Sequence, residues 1–296
     1  MKYLSYTAGS GATWGVAIDG VAHDLGPTGA NLAPSLGAAI ATGVFGKVTE
    51  EAAKAAPGTP EAGIRYLPAI TEPRKIICIG VNYRSHQDEA KKADVAAPTV
   101  FFRYADSQMG HLEPAVYPAV STEYDYEGEL ALVIGADAWH VAPEDAYGVV
   151  AGYAAYNDFS VRDWQLFATQ WGPGKNFPDS GAFGPYLVPA ADVDAGAGGV
   201  TALHLQTRVN GGVRQDADLT DLIFDIPAII AYVTTFTRLA PGDVIVTGTP
   251  GGVGRFSNPP ALLEPGDLVE VEITGPNGFT LGTLTNTVVA EDTAED

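Results

Sequence analysis

The sequence has little cysteine, little positive charge and no long apolar run. Its 296 residues include one Cys and only 16 Lys and Arg, against 36 Asp and Glu. A single Cys excludes an internal disulfide bond and a zinc site built from several cysteines, so we predict an intracellular protein held together by packing. Cys78 lies in the apolar run 76–79, where a small buried hydrophobic residue is expected rather than a nucleophile.

Charge and hydropathy limit the possible partners. A formal net charge of −20 would repel the phosphates of nucleic acids and anionic lipid surfaces. No stretch approaches the roughly 18 apolar residues that a membrane span requires, and the first six residues lack the apolar core of a signal peptide. We therefore expect no nucleic-acid partner and no membrane partner, and we predict a cytoplasmic protein.

Strand patterns dominate the chain, separated by Gly and Pro. The runs predicted as strands are 14–18, 75–81, 99–103, 127–134, 203–209, 244–247 and 268–273. Asp19-Gly20 predicts a hairpin turn. The Pro-Gly pairs at 241–242 and 265–266 predict type II turns, since Gly supplies the positive φ. The clearest helix begins after the capping residue Asp225. The pattern indicates a β-dominated α+β fold.

The chain divides by composition near residue 70. Residues 1–70 are rich in Ala and Gly, and the segment 52–60 has the composition of a helix end followed by a linker. The strand-rich part follows. We therefore predict a small N-terminal cap domain at 1–70 and a catalytic domain at 71–296.

Alternating acids precede the apolar run 130–134. Side chains two apart share a face of a strand, so Asp125, Glu127 and Glu129 are expected to point the same way and to repel one another unless a cation lies among them. Oxygen ligands favour Mg²⁺, Mn²⁺ or Ca²⁺ over zinc. Asp158, just before a predicted capping box at 160–163, is a candidate further ligand. An exposed edge strand with solvated acids is the alternative, and spacing alone leaves both open.

A His and Glu pair follows the predicted strand 75–81. His86 and Glu89 are three residues apart, so on a helix the carboxylate can orient the imidazole as a general base. A solvated helix surface is the alternative. The small, charged segment 90–97 suits a lid over a site.

Two further groups are candidates for substrate contacts. Lys175 lies among Gly and aromatic residues, where its charge can stabilise an enolate or oxyanion, although a flexible surface lysine is the alternative. The loop 246–254 lacks the order of glycines of a nucleotide-binding motif. Its backbone N–H groups and the Thr249 hydroxyl suit a carboxylate instead.

Taken together, these segments resemble the fumarylacetoacetate hydrolase superfamily from about residue 75 to residue 289. The matching pieces occur in family order, and they are 80–83 with His86 and Glu89, 125–130, 157–158, 162–165, 174–175, 210–211, 239–243 and 247–254. The resemblance implies a mixed β-sandwich roll, a variable N-terminal cap domain and a homodimer. Relatives often carry lysine at the position of Arg103.

The resemblance assigns a role to nine residues. It implies metal ligands at Glu127, Glu129 and Asp158 rather than Asp125, with Mg²⁺ or Mn²⁺ bound and Ca²⁺ as a possible substitute. The other groups that it implies are a base dyad of His86 and Glu89, a catalytic Lys175, and substrate-binding Arg103, Gln165 and Thr249.

The implied activity is hydrolysis of a C–C bond in a β-diketo acid such as an acylpyruvate or fumarylpyruvate. In this hypothesis His86 activates a water, and cleavage expels a metal-stabilised pyruvate enolate. An oxaloacetate-type decarboxylase and a keto–enol or double-bond isomerase of aromatic catabolism use the same site, and fold cannot choose among the three. A non-catalytic ligand-binding protein is a further alternative, against which the full set of catalytic groups counts.

Overall fold

The computed structural model describes residues 1–9 and 11–292, so the predicted catalytic domain, 71–296, is described as far as residue 292. The first strands are β1 (Lys2–Ala8), β2 (Gly11–Ile18), β3 (Val21–Asp24), β4 (Gly58–Pro60), β5 (Arg65–Tyr66), β6 (Ile76–Gly80), β7 (Thr99–Arg103), β8 (Gln108–Met109), β9 (Ala115–Tyr117) and β10 (Tyr124–Asp125). The remaining strands are β11 (Gly128–Ile134), β12 (Val150–Asp158), β13 (Ser160–Val161), β14 (Gly181–Pro189), β15 (His204–Val209), β16 (Gly212–Asp218), β17 (Val244–Val246), β18 (Leu268–Thr274) and β19 (Thr280–Ala290).

Helices are short and lie between the strands. The α-helices are α1 (Leu36–Ala41), α2 (Glu50–Lys54), α3 (Arg84–Glu89), α4 (Arg162–Gln165), α5 (Gly172–Lys175), α6 (Ala190–Ala197) and α7 (Ile226–Phe236). Single 3-10 turns or short 3-10 helices lie at Glu61–Gly63, Ala105–Ser107, Pro143–Val149, Val200–Ala202, Leu219–Asp221, Gly254–Phe256 and Pro276–Gly278. No helix in the described ranges is both long and apolar enough to cross a membrane.

The local predictions agree with the structure at most turns and caps. Asp19 and Gly20 both have positive φ, at 52° and 76°, which closes the hairpin between β2 and β3. Gly242 and Gly266 have φ of 88° and 103°, as the type II turns require. The Asp225 side chain accepts a hydrogen bond from the N–H of Ala228 and caps α7.

Two local predictions were wrong in detail. Ser160 does not cap a helix, because its hydroxyl donates to the carbonyl of Asp158, and α4 begins one residue later with Val161 at the cap position. The predicted linker 52–60 contains the short strand β4, which pairs with β3.

Two mixed sheets form the body of the molecule. Within the described residues, the larger sheet has the order β4-β3-β2-β1-β14-β12-β11-β17-β6-β7, with β5 added beside β1 and β8 beside β14. The second sheet has the order β16-β15-β18-β19-β9, and β10 pairs only with β13. Most pairs are antiparallel, whereas β17 runs parallel to β6. The prediction of a β-dominated α+β fold is confirmed.

Strand β11 is buried along its whole length, which explains its continuous apolar sequence. Leu130, Leu132 and Ile134 face the core between the two sheets, which β15, β18 and β19 complete. Ala131 and Val133 face a second core, formed with β1, β2 and β6. Because both faces of β11 are covered, its register is fixed by packing. The acidic residues just before it are therefore held in place.

The N-terminal segment shares a sheet and a core with the rest of the chain. Strand β1 pairs with β14 at Tyr3 and Leu187. The second core joins Tyr3 and Trp14 with Cys78, which is fully buried as a small hydrophobic residue. The division at residue 70 stays a prediction, since the segment 1–70 extends the large sheet by hydrogen bonds.

Two glycines four residues apart provide a test of this packing. A Cβ at Gly152 in β12 would lie 2.4 Å from the carbonyl oxygen of Val188, whereas a Cβ at Gly148 meets nothing within 4 Å. We expect Gly152→Ala to lower the free energy of unfolding by about 1–3 kcal/mol through overpacking. Gly148→Ala should change it by less than about 0.5 kcal/mol. Urea unfolding measures both, and equal values for the pair would contradict the described packing.

Candidate metal centre and active site

The acidic strand predicted at 125–129 is broken in the structure. Strand β10 ends at Asp125 and β11 begins at Gly128. The Asp125 carboxylate accepts hydrogen bonds from Nε of Arg162 at 2.9 Å and from the backbone N–H groups of Gly254 and Arg255 at 2.8 and 3.0 Å. The prediction of one strand through all three acids was therefore wrong, because β10 and β11 belong to different sheets, although Arg162 contacts both Asp125 and Glu127.

Glu127, Glu129 and Asp158 converge. Each offers a carboxylate oxygen within 4.8 Å of the other two, and all three side chains are buried. The register of β11 and β12 brings them together, since Gly128 lies opposite Asn157 and the N–H of Asp158 donates to the carbonyl of Glu127 at 2.9 Å. The antiparallel pairing of two buried strands thus assembles three acids from two segments of the chain.

Buried cations lie against two of these acids. Nζ of Lys175 lies 2.6 Å from Oε2 of Glu127 and 2.7 Å from Oδ2 of Asp158. Nη1 of Arg162 lies 2.5 Å from Oε1 of Glu127, and the Arg103 guanidinium pairs with Asp158. Such short charge-assisted contacts hold the carboxylates in fixed positions.

The pKa values of Glu127 and Glu129 move in opposite directions. Burial opposes ionisation of Glu127, but the charges of Lys175 and Arg162 prevail and lower its pKa to about 2. Burial, together with the charges of Asp158 and Glu127, raises the pKa of Glu129 well above its ordinary value. Glu129 has one polar contact in the described residues, from the N–H of Gly248, whose positive φ of 101° directs it inward.

The three acids fit a hard divalent cation. The donors are carboxylate oxygens alone, which is the set that Mg²⁺ and Mn²⁺ prefer. Burial is the main cause of the raised pKa of Glu129 and the charges of Asp158 and Glu127 add to it, and a cation bound among these acids would offset both effects. The site therefore has both the ligand chemistry and the excess of negative charge that a metal ion needs.

The predicted dyad of His86 and Glu89 forms on helix α3. His86 and Glu89 lie on α3, and Nδ1 of His86 is 2.7 Å from Oε1 of Glu89. The other oxygen of Glu89 accepts the N–H of Gly252 at 2.8 Å. Ser85 anchors the same helix, since its hydroxyl donates to Asp221 and accepts the N–H of Gly251. Glu89 therefore holds the imidazole by one nitrogen and leaves Nε2 for a reacting group.

One small cavity of about 80 Å³ connects the dyad with the acids. The predicted site residues that line it are His86, Glu127, Glu129, Gln165, Lys175 and Thr249. Two others lie directly behind this lining, Glu89 against His86 and Asp158 against Lys175. The structure thus brings eight of the nine predicted residues to one place.

Two residues of the lining are themselves held by buried polar groups. The Thr249 hydroxyl donates to the carbonyl of Gly128 at 2.9 Å and accepts from Nε2 of Gln215 at 2.7 Å. Oε1 of Gln165 accepts from Nη1 of Arg162 at 3.1 Å. Gly174 allows the helix that carries Lys175 to approach, since a Cβ there would lie 2.3 Å from the backbone nitrogen of Gln165. These contacts fix the geometry of the cavity wall.

Arg103 lies behind the acids and does not line the cavity. Its side chain is fully buried, where it donates to Asp158, to the hydroxyl of Ser180 at 2.6 Å and to the carbonyl of Phe159 at 3.3 Å. Burial disfavours its charge, yet Tyr156 and Asp158 keep its pKa raised. The contact that its position supports is with Asp158 rather than with a substrate.

Sequence reasoning assigned no role to Arg162, although it is a central cation of the site. Its guanidinium is buried, bridges Asp125 and Glu127, and lines the cavity. Arginine is rarely buried unless it is paired, so residue type favours an exposed position. The available signal was charge balance, because four acids predicted near one another require buried cations.

The chain is similar to several known proteins. Residues 75–289 match the family model described as fumarylacetoacetate (FAA) hydrolase C-terminal. The human protein named oxaloacetate tautomerase FAHD2A, mitochondrial, is 38% identical over 235 residues, which cover 79% of this chain and 72% of that protein.

Two solved structures resemble the whole chain. A fumarylacetoacetate hydrolase from psychrophilic Exiguobacterium antarcticum is 32% identical with a TM-score of 0.85, covering 98% of this chain and 100% of that one. A maleylpyruvate hydrolase from Sphingobium sp. SYK-6, in complex with manganese(II) and pyruvate, is 28% identical with a TM-score of 0.78, covering 99% and 100%. The architecture predicted from the sequence is therefore found in solved structures.

Replacing Glu129 tests the metal centre. After EDTA treatment, added Mn²⁺ or Mg²⁺ should stabilise the native protein by about 2.7 kcal/mol at a hundredfold excess over Kd. Glu129→Gln should lose this increment because it removes one of three ligands. His86→Ala, which leaves the acids intact, should keep it. Thermal melting with and without metal measures the increment, and an unchanged increment in Glu129→Gln would exclude this residue as a ligand.

The pH dependence of stability provides a second test of Glu129. Its pKa in the folded protein is raised above the ordinary value of 4.5, so in EDTA the folded state retains a proton that the unfolded state releases. Stability then falls as the pH rises above that value. Glu129→Gln removes this loss, so its free energy of unfolding relative to the native protein should increase from about pH 5 to about pH 8. Urea unfolding in EDTA measures the difference, and a constant difference argues against the shift.

Proposed function

This chain belongs to the fumarylacetoacetate hydrolase family, and on that basis we propose that it is a metal-dependent tautomerase of a short 2-keto acid of the oxaloacetate type. The observation that carries the proposal is the single small cavity shared by the His86–Glu89 dyad and the acids Glu127 and Glu129. A base beside an electrophilic site is the arrangement that enolisation of a 2-keto acid requires.

The three converging acids are the proposed metal ligands. Glu127, Glu129 and Asp158 supply one oxygen each from two buried strands. A divalent cation held by these residues would supply Lewis-acid stabilisation to a 2-keto acid. We propose Mg²⁺ or Mn²⁺, since the donors are oxygens alone and the maleylpyruvate hydrolase structure contains manganese(II).

The dyad moves the proton. In the proposed reaction Nε2 of His86 removes a proton from the carbon next to the keto group, and the C–H electron pair forms the enolate. His86 then returns the proton to the keto oxygen to give the enol, so no atom is gained or lost. Glu89 stabilises the protonated ring through the 2.7 Å contact at Nδ1.

Positive side chains stabilise the developing negative charge. Lys175 and Arg162 line the cavity, and the charges of Asp158 and Glu127 outweigh burial to raise the pKa of Lys175, so its ammonium is protonated. Nε2 of Gln165 is the proposed donor to the substrate carboxylate, and the Thr249 hydroxyl would donate as well on turning from the carbonyl of Gly128. Arg103 acts through Asp158, which it holds in place.

A second candidate is hydrolysis of a C–C bond in a β-diketo acid. Here His86 deprotonates a water, the hydroxide adds to the distal carbonyl, and the breaking C–C bond leaves its electrons on a pyruvate enolate that is then protonated. The manganese and pyruvate in the maleylpyruvate hydrolase structure favour this reading. We rank tautomerisation first, because the tautomerase relative is 38% identical against 32% and 28% for the two hydrolases and because the cavity is small.

Decarboxylation of oxaloacetate is a third candidate, in which the bond to the departing CO₂ leaves its electrons on the same pyruvate enolate and no attacking water is needed. The cytoplasmic location and the homodimer also stay predictions, and the human relative is named as a mitochondrial protein.

A substrate panel with a base variant tests the function. With Mn²⁺ present, we expect the native protein to interconvert keto and enol oxaloacetate without releasing pyruvate. His86→Ala should lower kcat by about 10²–10⁴-fold, since it removes the general base. His204→Ala, in an exposed pair with Asp216, is the matched control and should leave kcat unchanged. Enol absorbance and a coupled pyruvate assay measure the two reactions.

The same panel separates the alternatives. Pyruvate released from an acylpyruvate supports the hydrolase, and pyruvate released from oxaloacetate supports the decarboxylase. Activity on none of these compounds, or full activity of His86→Ala, contradicts the proposed chemistry.

A further inference from the structure

Backbone hydrogen bonds hold the segment after α3, the helix that carries the dyad, against the end of that helix. After α3 the N–H of Lys91 donates to the carbonyl of Asp88 at 3.1 Å, and the N–H of Lys92 donates to the carbonyl of Gln87 at 3.0 Å. This is the bonding pattern of a Schellman motif, and Lys91 takes the left-handed position with a φ of 51° that Gly usually occupies. The side chain of Gln87 also donates to the carbonyl of Ala93.

This turn fixes Lys92 relative to His86. Lys92 lines the cavity that contains His86, Glu127 and Glu129, whereas its neighbour Lys91 does not. The motif joins the backbone of Lys92 to the helix that carries His86. The backbone of Lys92 therefore keeps a fixed position relative to the dyad. Of these two adjacent lysines, Lys92 lines the cavity and Lys91 does not.

Lys92 is an uncompensated cation in the cavity lining. No ion pair or side-chain hydrogen bond of Lys92 is present within residues 1–9 and 11–292. The other cations of the lining each have a carboxylate partner, since Arg255 pairs with Glu123 and Lys175 with Glu127. Among the lining cations in the described part of the chain, Lys92 is the one that lacks a carboxylate partner.

Apolar side chains line the same cavity as Lys92. Leu166, Trp171 and Phe256 contribute this surface, and the Phe256 ring lies 6.0 Å from the ring of His86. Lys92 is exposed, as are Leu166 and Phe256, so solvent screens its charge and a bound anion gains a modest amount of free energy. The ammonium of Lys92 is therefore accessible to a ligand that extends from the cavity.

We propose that Lys92 binds a second carboxylate of the substrate, so that the enzyme selects dicarboxylic 2-keto acids over monocarboxylic ones. The inference rests on the proposed function, which puts the 2-keto acid end against Glu127, Glu129 and Asp158. His86 then faces the carbon next to the keto group, and the remaining end of the molecule extends toward Lys92. A substrate with a carboxylate at each end satisfies both regions, and pyruvate satisfies one.

The test compares a dianion with its monoanionic ester. Oxaloacetate and its 4-methyl ester undergo the same reaction and differ in the distal charge. Lys92→Met should lower the ratio of kcat/KM for oxaloacetate to that for the ester about three- to tenfold, chiefly through KM, since a charge-assisted hydrogen bond from an exposed lysine is lost. Lys92→Arg should restore most of the ratio. Lys91→Met, the matched control, should keep the native ratio.

A binding measurement makes the result independent of turnover. 3,3-Difluorooxaloacetate and its 4-methyl ester cannot enolise, and calorimetry with Mn²⁺ gives their Kd for each variant. A Kd ratio in Lys92→Met within twofold of the native ratio, or failure of the native protein to bind the dianion, overturns the role of Lys92. If the native protein binds the dianion through Lys92 but turns over neither substrate, the proposed function fails and the carboxylate site stands.

Discussion

Burying a carboxylate costs free energy unless a positive group lies against it, and this chain buries four carboxylates together. The buried acids are Asp125, Glu127, Glu129 and Asp158, and the buried cations among them are Arg103, Arg162 and Lys175. Three of the acids have a cationic partner within the described residues, whereas Glu129 has a backbone N–H. The remaining negative charge defines where a metal ion belongs, and the cavity, the dyad and the ordered loops are arranged around that position.

The buried acids and the buried cations that neutralise them come from distant parts of the chain. Strands β11 and β12 bring the acids, the short helices α4 and α5 bring Arg162 and Lys175, and the edge strand β7 brings Arg103. Lys175 makes contact with acids of both strands, so it joins them electrostatically as the backbone joins them by hydrogen bonds. The function of these residues as metal ligands and catalysts stays a proposal, but their shared burial is a property of the fold.

Much of the architecture could be predicted from local pattern. Alternation and apolar runs located β6, β7, β11, β15 and β18 to within a residue or two, because strands buried on one or both faces have strong sequence signals. The turns at Gly242 and Gly266 and the cap at Asp225 follow from residue type alone. The spacing of His86 and Glu89 was sufficient because a single helical turn joins them.

The site was harder to predict where it depends on tertiary contacts. Alternation assumed one strand through Asp125 and Glu127, and it carries no information about the break between β10 and β11 or about the contacts of Asp125 with Arg162 and Gly254. Arg103 matched a family position, but hydrogen bonds to Asp158 and Ser180 determine where its side chain points. Those residues lie 55 and 77 residues away in the sequence. Buried arginines have no periodicity that marks them. Their positions follow from charge balance only when the acids are already known to meet.

The anchoring of the dyad helix has a consequence for the order of folding. Ser85 bonds to Asp221 across 136 residues, Glu89 bonds to Gly252 across 163, and Glu129 bonds to Gly248 across 119. Closing such long loops is entropically costly, and contacts of this range form slowly. During refolding, most strands and local turns can be in place before the His86–Glu89 pair meets the three acids. Formation of the complete site therefore reports completion of the whole tertiary structure rather than of any one segment.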